Sequence, residues 1–167
     1  MKHICSFPPV ANSQATLLIL GSMPGEESLK RQQYYAHPRN VFWRIMGELV
    51  GAPPTLPYPQ RLKRLQESSI ALWDVLHTCE RTGSLDSAIE REKANDFSAF
   101  FDRHPRIMRI FFNGTKAEHS FRKFVLEKQQ LPPLTLQRLP STSPAHAGMC
   151  YAEKLERWRL ILADAAC

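Results

Sequence analysis

The residues best suited to chemistry lie in one stretch, GSMPGEESLKRQQYYAHPRNVFW, which runs from Gly21 to Trp43. A glycine-proline turn is followed there by hydroxyl, imidazole, amide and aromatic side chains, all directly after an apolar segment. The amide of Asn40 can hold a water molecule or hydrogen-bond a ligand, but it is a poor general base. The alternative is that Asn40 caps a helix beginning at Val41, because asparagine is favoured at that position. His37 also has two interpretations, a ligand contact or an ordinary His-Pro loop.

Two later stretches carry groups that could bind phosphate. The loop LPSTSPAHAG places Ser141, Thr142 and Ser143 together, and short hydroxyl side chains in tight loops often donate to phosphate oxygens. In NGTKAE a strand exit precedes a predicted helix, whose free N–H groups favour anions, and Lys116 adds a positive charge. Arg39 could extend a basic rim. Each of these features could equally be an ordinary turn or a solvated surface charge.

Several classes of protein are excluded by the motifs that the sequence lacks. The GSMPG turn matches neither the GxxxxGK[ST] phosphate loop nor the GxGxxG dinucleotide loop. No HExxH or paired-carboxylate element indicates metal-dependent hydrolysis. The cysteines at 5, 79, 150 and 167 include no Cys-x-x-Cys pair, so we expect reduced thiols and no zinc site or iron-sulfur cluster.

Length, charge and hydropathy limit the partners. The 167 residues include 22 Lys and Arg against 16 Asp and Glu, a net charge of +6 that favours a polyanionic partner. The N-terminus lacks a secretory pattern, and no apolar run approaches the roughly 18 to 20 residues that a membrane helix needs. We therefore expect a cytoplasmic protein without membrane association, a single domain over residues 1–167, and a monomer.

The elements that position these residues follow from an alternation of apolar runs with helical patterns, which is typical of a parallel sheet covered by helices. Strands are predicted at residues 15–22, 69–76, 107–114 and 134–139. The polar, turn-rich segment 77–96 is predicted to be a surface excursion with one short helix.

Helices are predicted between these strands. One begins after Asn40 and is closed by Gly51, a short basic one covers 61–68, and one is stopped by Pro105. Thr115 and Glu118 have capping-box spacing and predict the start of another helix. The final predicted helix, at about 151–165, aligns a stripe of apolar residues on one face, namely Leu155, Trp158, Leu162 and Ala165.

The predicted fold class is α/β, a three-layer α/β/α sandwich around a four-stranded, mainly parallel sheet. In such sheets ligands bind beyond the carboxyl ends of the strands. The segments GSMPG, NGTKAE and PSTSPAHAG follow three of the predicted strands. The residues suited to chemistry are therefore expected at one edge of the sheet.

Five segments in this order, GSMPG, YYAHPRNVFW, CERTGSLDS, FFNGTKA and LPSTSPAHA, resemble the uracil-DNA glycosylase superfamily. They are most similar to its hypoxanthine (deoxyinosine) DNA glycosylase branch, with mismatch-specific uracil glycosylases as nearer cousins. The resemblance covers nearly the whole chain. It implies a monofunctional enzyme that flips a base out of DNA and hydrolyses its N-glycosidic bond. The implied partner is double- or single-stranded DNA with deaminated bases, and no metal or organic cofactor is implied.

The resemblance also implies roles for individual pocket residues. The superfamily places a water-activating Asp or Asn before its first proline, where this chain has Met23, whose thioether cannot activate water. In the hypoxanthine branch the catalytic role passes to the residue that matches Asn40. Tyr35 matches an aromatic residue that stacks on the flipped base, and Ser22 belongs to the pocket wall. Asp74 lies near the position that reads the polar edge of the base, with a strand-end cap or salt bridge as the alternative.

The segment LPSTSPAHA matches the loop that grips the damaged strand and pushes a wedge into the vacated stack. In relatives the wedge is a bulky apolar residue, whereas the matching position here is Ala145, which fills little of the gap. His146, the next residue, is a candidate substitute.

Other functions remain open at this point. One is a uracil or mismatch-specific glycosylase, and another is a catalytically inactive lesion-binding relative, for which Met23 and Ala145 are the motivating departures. A third is a small-molecule nucleoside hydrolase that uses the same pocket.

Overall fold

The polypeptide alternates strands with helices, as the apolar pattern predicted. The computed structural model describes residues 1–163. The elements in chain order are β1 (Lys2–Cys5), β2 (Leu17–Gly21), α1 (Glu26–Arg31), α2 (Phe42–Val50), α3 (Tyr58–Glu67), β3 (Ile70–Asp74), β4 (Leu76–Arg81), β5 (Glu90–Ala94), α4 (Phe97–Arg103), β6 (Arg109–Asn113), α5 (Thr115–Phe121), β7 (Thr135–Leu139) and α6 (Tyr151–Trp158). Short turns of 3₁₀ helix at Asp86–Ala88 and Arg159–Leu162, and of π-helix at Arg122–Leu126, lie between or after them.

The central sheet contains β3, β2, β6 and β7 in that order, and all neighbouring pairs are parallel. Leu18 and Leu20 of β2 pack in one apolar cluster with residues of α4 and α5. Leu17 and Ile19 pack in a second cluster with residues of α2, α3 and α6. Because successive strand residues point to opposite faces, the sheet is covered on both sides. The predicted three-layer α/β/α sandwich around a four-stranded parallel sheet is thereby confirmed.

A second, antiparallel sheet was not predicted. β4 pairs with both β1 and β5. Segment 77–96, which contains β5 and most of β4, was predicted to be a surface excursion with one short helix. That prediction is wrong except for the short helix, which corresponds to the 3₁₀ turn at Asp86–Ala88. Along β4 the side chains of Cys79 and Arg81 are buried, whereas His77 is exposed. One face of an antiparallel ribbon is solvated, and its polar residues concealed the strand pattern in this sequence.

The start of α5 differs from its prediction. Gly114, with φ of 94°, precedes this helix, and no side chain of residues 1–163 caps it. Thr115 is already its first residue, so the predicted capping box of Thr115 and Glu118 is wrong. Helices α2, α3 and α4 agree with the sequence, and α2 ends as predicted at Gly51, which adopts a left-handed conformation.

The end of the chain departs from the predicted helical stripe. α6 stops at Trp158 and continues as a 3₁₀ turn, in which Ile161 is buried and Leu162 is exposed. A period of three residues replaces the period of 3.6 there, so the buried position shifts by one residue. Ala165, the last residue of the predicted stripe, lies outside the described residues.

Within residues 1–163 the structure contains neither a disulfide bond nor a membrane-spanning helix. Cys5, Cys79 and Cys150 are free thiols, and Cys167 lies outside the described part. No helix of that part has the length and apolar character needed to cross a bilayer.

Candidate functional site

A cavity of about 1110 Å³ opens at the carboxyl ends of β2, β3 and β6, beside the loop that follows β7. Parallel strands end at the same edge of their sheet, so residues that are far apart in sequence meet there. The cavity is lined by all of the residues predicted from the sequence to form a site, namely Ser22, Met23, Tyr35, His37, Arg39, Asn40, Asp74, Lys116, Ser141, Thr142, Ser143, Ala145 and His146. The structure thus brings these residues together, while their individual roles stay predictions.

The floor of the cavity is formed by close packing against Gly21, the last residue of β2. A β-carbon at Gly21 would lie 2.6 Å from Asp74 Oδ1 and 2.8 Å from the hydroxyl oxygen of Tyr35. The carbonyl of Gly21 accepts a hydrogen bond from the N–H of Val75 at 2.8 Å, which fixes the ends of β2 and β3 together. Only glycine permits this approach, so Gly21 is a site residue that the sequence reasoning did not single out.

Asp74 is the buried acid of this floor. The residue is 3% exposed, and within the described part of the chain its Oδ2 atom has no hydrogen-bond partner. Burial, and then the charge of Asp86, raise the pKa of Asp74 to about 7, and Arg81 acts in the opposite direction. No capping or salt-bridging partner satisfies this enclosed oxygen among residues 1–163. Asp74 also lines the cavity, where its carboxyl group can meet a ligand that supplies a proton donor.

Tyr35 forms the aromatic wall and adopts an unusual backbone conformation. Its φ of 54° lies in the left-handed region, where a non-glycine residue carries about 1 to 3 kcal/mol of strain. The ring packs against Phe42 with centroids 4.2 Å apart and planes inclined by 33°. Burial and the Asp74 carboxylate raise the pKa of Tyr35 well above its ordinary value, so the hydroxyl stays protonated. Phe42, together with Tyr34 and Trp43, belongs to the core, as predicted.

Asn40 contacts the start of α2, but it is not the cap residue that the alternative interpretation expected, because the helix begins at Phe42 and Val41 holds the cap position. Its Oδ1 atom accepts a hydrogen bond from the N–H of Phe42, the first residue of α2, at 3.0 Å. This bond occupies one side of the carbonyl oxygen and orients the amide. The Nδ2 group is then the part of Asn40 best placed to donate to a molecule in the cavity. Helix contact and ligand contact are therefore compatible.

His37 and Arg39 lie on the exposed rim beside Asn40. The backbone N–H of Arg39 donates to His37 Nδ1 at 3.1 Å, and the N–H of Asn40 donates to the carbonyl of His37 at 2.9 Å. Nδ1 is thereby used within the turn, so Nε2 is the ring nitrogen that can meet a ligand.

The loop after β7 is anchored by a residue that the sequence assigned to phosphate. Thr142 is 1% exposed, its Oγ1 accepts from Asn113 Nδ2 at 3.0 Å, and its N–H donates to Asn113 Oδ1 at 2.9 Å. The carbonyl of Thr142 accepts from the N–H of Val41 at 3.1 Å. Burial removes its hydroxyl from the reach of a phosphate, so Thr142 anchors the loop instead. Asn113, a strand-exit residue, is the anchoring partner that the sequence did not identify.

The neighbouring hydroxyl groups remain suited to phosphate. Ser141 Oγ accepts from the N–H of Ser143 at 3.1 Å, and Ser143 Oγ accepts from the N–H of Ala145 at 3.2 Å. Each hydroxyl acts as an acceptor in these turns, which leaves its own proton available to an anion. Ala145 and His146 follow on the exposed surface, where Lys154 Nζ holds the carbonyl of His146 at 2.8 Å.

Lys116 is paired within the protein. Its ammonium group donates to the carboxylate of Glu92 on β5, and both side chains are largely buried. The pair offsets the positive charge that the sequence assigned to a DNA phosphate. The partner lies on a strand that was not predicted, which is why sequence reasoning left Lys116 free.

Ser22 and Met23, which follow β2 directly, also line the cavity. Ser22 Oγ donates to Asp86 Oδ1 at 2.7 Å, and Met23 is 7% exposed and packs in the core cluster beside β2. Asp86 belongs to CERTGSLDS, but its place in the site was hidden by the wrong assignment of segment 77–96. Because Met23 follows Ser22, the cavity has an apolar thioether at the position where the superfamily places a water-activating Asp or Asn.

The sequence and the fold match those of a known family of proteins. A sequence profile of the uracil DNA glycosylase superfamily matches residues 8–165, and the chain belongs to that superfamily. Two curated relatives are the hypoxanthine DNA glycosylases of Methanosarcina barkeri and Methanosarcina acetivorans, which are 41% and 44% identical over 112 residues. That match covers 66% of this chain and 71% of each relative.

A solved structure is similar over almost the full length. The solution NMR structure of a candidate uracil DNA glycosylase from Methanosarcina acetivorans superimposes with a TM-score of 0.78 at 35% sequence identity. The match covers 96% of each chain. The resemblance stated from the five sequence segments is thereby confirmed for the family and for the fold.

Proposed function

We propose that this protein is a monofunctional DNA glycosylase that hydrolyses the N-glycosidic bond of deoxyinosine in DNA, leaving an abasic site and free hypoxanthine. Membership of the superfamily and the activity named for both Methanosarcina relatives support the proposal. The structural observation that carries it is the buried acid Asp74, which lines the cavity and whose Oδ2 atom has no hydrogen-bond partner among residues 1–163. We further propose that it acts as a cytoplasmic monomer on single- or double-stranded DNA with deaminated bases.

Base selection is assigned to Asp74. Hypoxanthine carries a proton on N1, and an ionised carboxylate can accept this N–H as a hydrogen bond. Adenine, the base from which hypoxanthine forms, has a bare lone pair at N1, which a buried carboxylate would repel. A buried acceptor without a partner is costly, so the base that supplies the missing N–H is favoured. Uracil also offers an N–H, at N3, and is the competing substrate.

Bond cleavage relies on position and electrostatics. Tyr35 provides a ring held against Phe42 on which the flipped base can stack. As the C1′–N9 bond breaks, its electron pair moves to the departing base, and the Nδ2 group of Asn40 can donate to the charge that develops. Water then adds to C1′ and gives up one proton to solvent, and the departing base takes up one proton, so that neutral hypoxanthine is released. Because Met23 cannot activate this water, the enzyme depends on stabilising the departing base and is expected to be slow.

The damaged strand is held at the rim. The hydroxyl protons of Ser141 and Ser143 can donate to phosphate oxygens, and the exposed Arg39 adds a positive charge to the cavity lining. These contacts involve charge, so binding weakens as the salt concentration rises.

The proposal is tested with duplexes that carry one hypoxanthine, uracil, xanthine or mismatched thymine, followed by alkaline cleavage at abasic sites. We expect cleavage at hypoxanthine to be fastest and to fall with salt, and free deoxyinosine to be left intact. Faster cleavage at uracil would assign a uracil or mismatch-specific enzyme. Salt-independent cleavage of free deoxyinosine would assign a nucleoside hydrolase.

A lesion-binding protein without catalysis is the second candidate, favoured by the apolar wall at Met23. It predicts selective binding of the hypoxanthine duplex with no alkali-labile product at any protein concentration. Detection of free hypoxanthine excludes it.

A further inference from the structure

The loop between β4 and β5 lines the cavity and is hydrogen-bonded to the segment that follows β2. Ser22 Oγ donates to Asp86 Oδ1 at 2.7 Å, and the N–H of Glu26 donates to Ser84 Oγ at 2.8 Å. Leu85 lies between these two anchored residues and lines the cavity. Its backbone is therefore held in a fixed position relative to the pocket.

A buried arginine directly before this loop is also hydrogen-bonded to the turn after β2. Arg81, at the end of β4, is 1% exposed, and its Nη2 group donates to the carbonyl of Pro24 in the turn after β2. The turn and the β4–β5 loop are thus joined at three points. A side chain presented by such a loop is directed by rigid structure, as a group that must enter another molecule needs to be.

Leu85 is apolar and 58% exposed at the mouth of the cavity. A single exposed leucine is ordinary on a protein surface, so exposure alone does not indicate a function for Leu85. Its position beside the cavity does. The other exposed large apolar residues among residues 1–163, such as Met108 and Leu160, do not line the cavity. On the loop after β7, which also lines the cavity, Ala145 offers only a methyl group where the superfamily resemblance implied a wedge.

We propose that Leu85 supplies the apolar side chain that enters the base stack next to the flipped nucleotide. This inference rests on the proposed glycosylase function. A base that leaves the duplex opens a gap, and an apolar side chain in the gap replaces part of the lost stacking and keeps the base from returning. Leu85 can bury more apolar surface there than Ala145, and its anchored loop limits the entropy that is lost on insertion.

The test compares Leu85→Ala with the wild type in single-turnover excision from duplex and from single-stranded DNA that carry one deoxyinosine. Burial of a leucine side chain predicts a loss of about tenfold or more on the duplex, because only the duplex has a stack to fill. On the single strand we expect a change within about twofold, and Leu85→Met should restore most of the duplex rate because its apolar length is similar.

A second measurement follows unstacking directly. A 2-aminopurine placed beside the lesion brightens when its neighbour leaves the stack, and Leu85→Ala should reduce this signal at saturating protein. Met108→Ala is the matched control, because Met108 is 60% exposed and precedes β6 at the opposite end of the sheet. It should leave excision and fluorescence unchanged.

Two results would overturn the inference. One is full duplex excision and full fluorescence in Leu85→Ala, and the other is an equal loss on duplex and single strand, which would assign Leu85 to the pocket itself. If the wild type excises no hypoxanthine, the proposed function fails, and the fluorescence comparison still decides the role of Leu85.

Discussion

Asn113 holds Thr142 through two reciprocal hydrogen bonds, one to the hydroxyl and one to the backbone N–H of Thr142. Because the carbonyl of Thr142 also accepts from Val41, this pair joins three parts of the cavity. These parts are the exit of β6, the serine-rich loop and the start of α2. The residues proposed to grip DNA and the residue proposed to assist cleavage thus share one anchor.

Replacement of Asn113 should loosen this anchor. Asn113→Ala leaves buried groups of Thr142 without partners, and we expect a loss of about 1 to 3 kcal/mol in the free energy of unfolding. The KM for DNA should rise more than kcat falls, because the loop that holds the strand is affected most. Urea unfolding and steady-state excision measure both effects. Asn12→Ala, which removes a local turn contact at the surface, is the control, and equal behaviour of the two variants would contradict the anchoring role.

A side chain at Gly21 should displace the floor of the cavity. Gly21→Ala places a methyl group within 3 Å of Asp74 Oδ1 and of the Tyr35 hydroxyl, and overpacking of this kind costs about 1 to 3 kcal/mol. Excision should fall strongly, since both pocket residues must move. Gly148→Ala is the matched control, because a β-carbon added at Gly148 would meet no atom of residues 1–163 within 4 Å. The test compares the excision rates and melting temperatures of the two variants. An active, stable Gly21→Ala protein would show that the floor of the cavity is not closely packed.

Substitution of Asn40 can separate its helix contact from its proposed catalytic contact. An aspartate can still accept the N–H of Phe42 but has no Nδ2 donor, so Asn40→Asp should keep the melting temperature of the wild type. Its rate should fall by about 100-fold, as expected when one donor to a developing charge is lost. Asn40→Ala should lose stability and rate together. An Asn40→Asp protein that excises hypoxanthine at the wild-type rate would remove the donor role.

The activity should depend on pH through Asp74. Its pKa of about 7 in the free protein predicts that kcat/KM for deoxyinosine rises as pH increases through about 7, because the ionised form accepts the N1 proton. Asp74→Asn should abolish this rise. Asp86→Asn can still accept the Ser22 proton but removes a charge that raises the pKa of Asp74, so the rise should move to lower pH. An unchanged profile in both variants would exclude Asp74 as the titrating group.

The stability of the protein should fall as pH rises, whereas its activity should increase. The pKa of Asp74 is raised from 3.8 to about 7 by burial, so the folded state binds its proton more tightly than the unfolded chain does. The associated stability is fully present below about pH 3.8 and is lost as pH rises through about 7. Relative to Asp74→Asn, the wild-type melting temperature should therefore fall between pH 5 and pH 8. A difference that is constant over this range would contradict the shifted pKa.

The sequence was sufficient for the sheet and for the location of the cavity. Short apolar runs such as that of β2 are buried on both faces, and parallel strands must end at one edge, so Tyr35, Asp74 and Ser141 were expected together. These inferences depend on pattern and topology alone. They do not depend on the partner of any single side chain.

The sequence did not predict which side chains pair with one another inside the protein. The sequence predicts that Lys116 is a free cation, but it is paired with Glu92 of the unpredicted strand β5. It likewise predicts a free hydroxyl group at Thr142, but that group accepts a hydrogen bond from Asn113. Gly21 follows the same rule, because its role is set by the approach of side chains from other segments. Such contacts come from tertiary packing, which local sequence patterns do not encode.

The central claim is that this protein releases hypoxanthine from DNA. The most direct measurement is mass-spectrometric detection of the free base from two duplexes incubated with the wild type, one with a single deoxyinosine and one with a single deoxyuridine. We predict release of hypoxanthine in an amount equal to the abasic sites formed, with little or no release of uracil. Absence of free hypoxanthine at excess protein, or preferential release of uracil, would contradict the account.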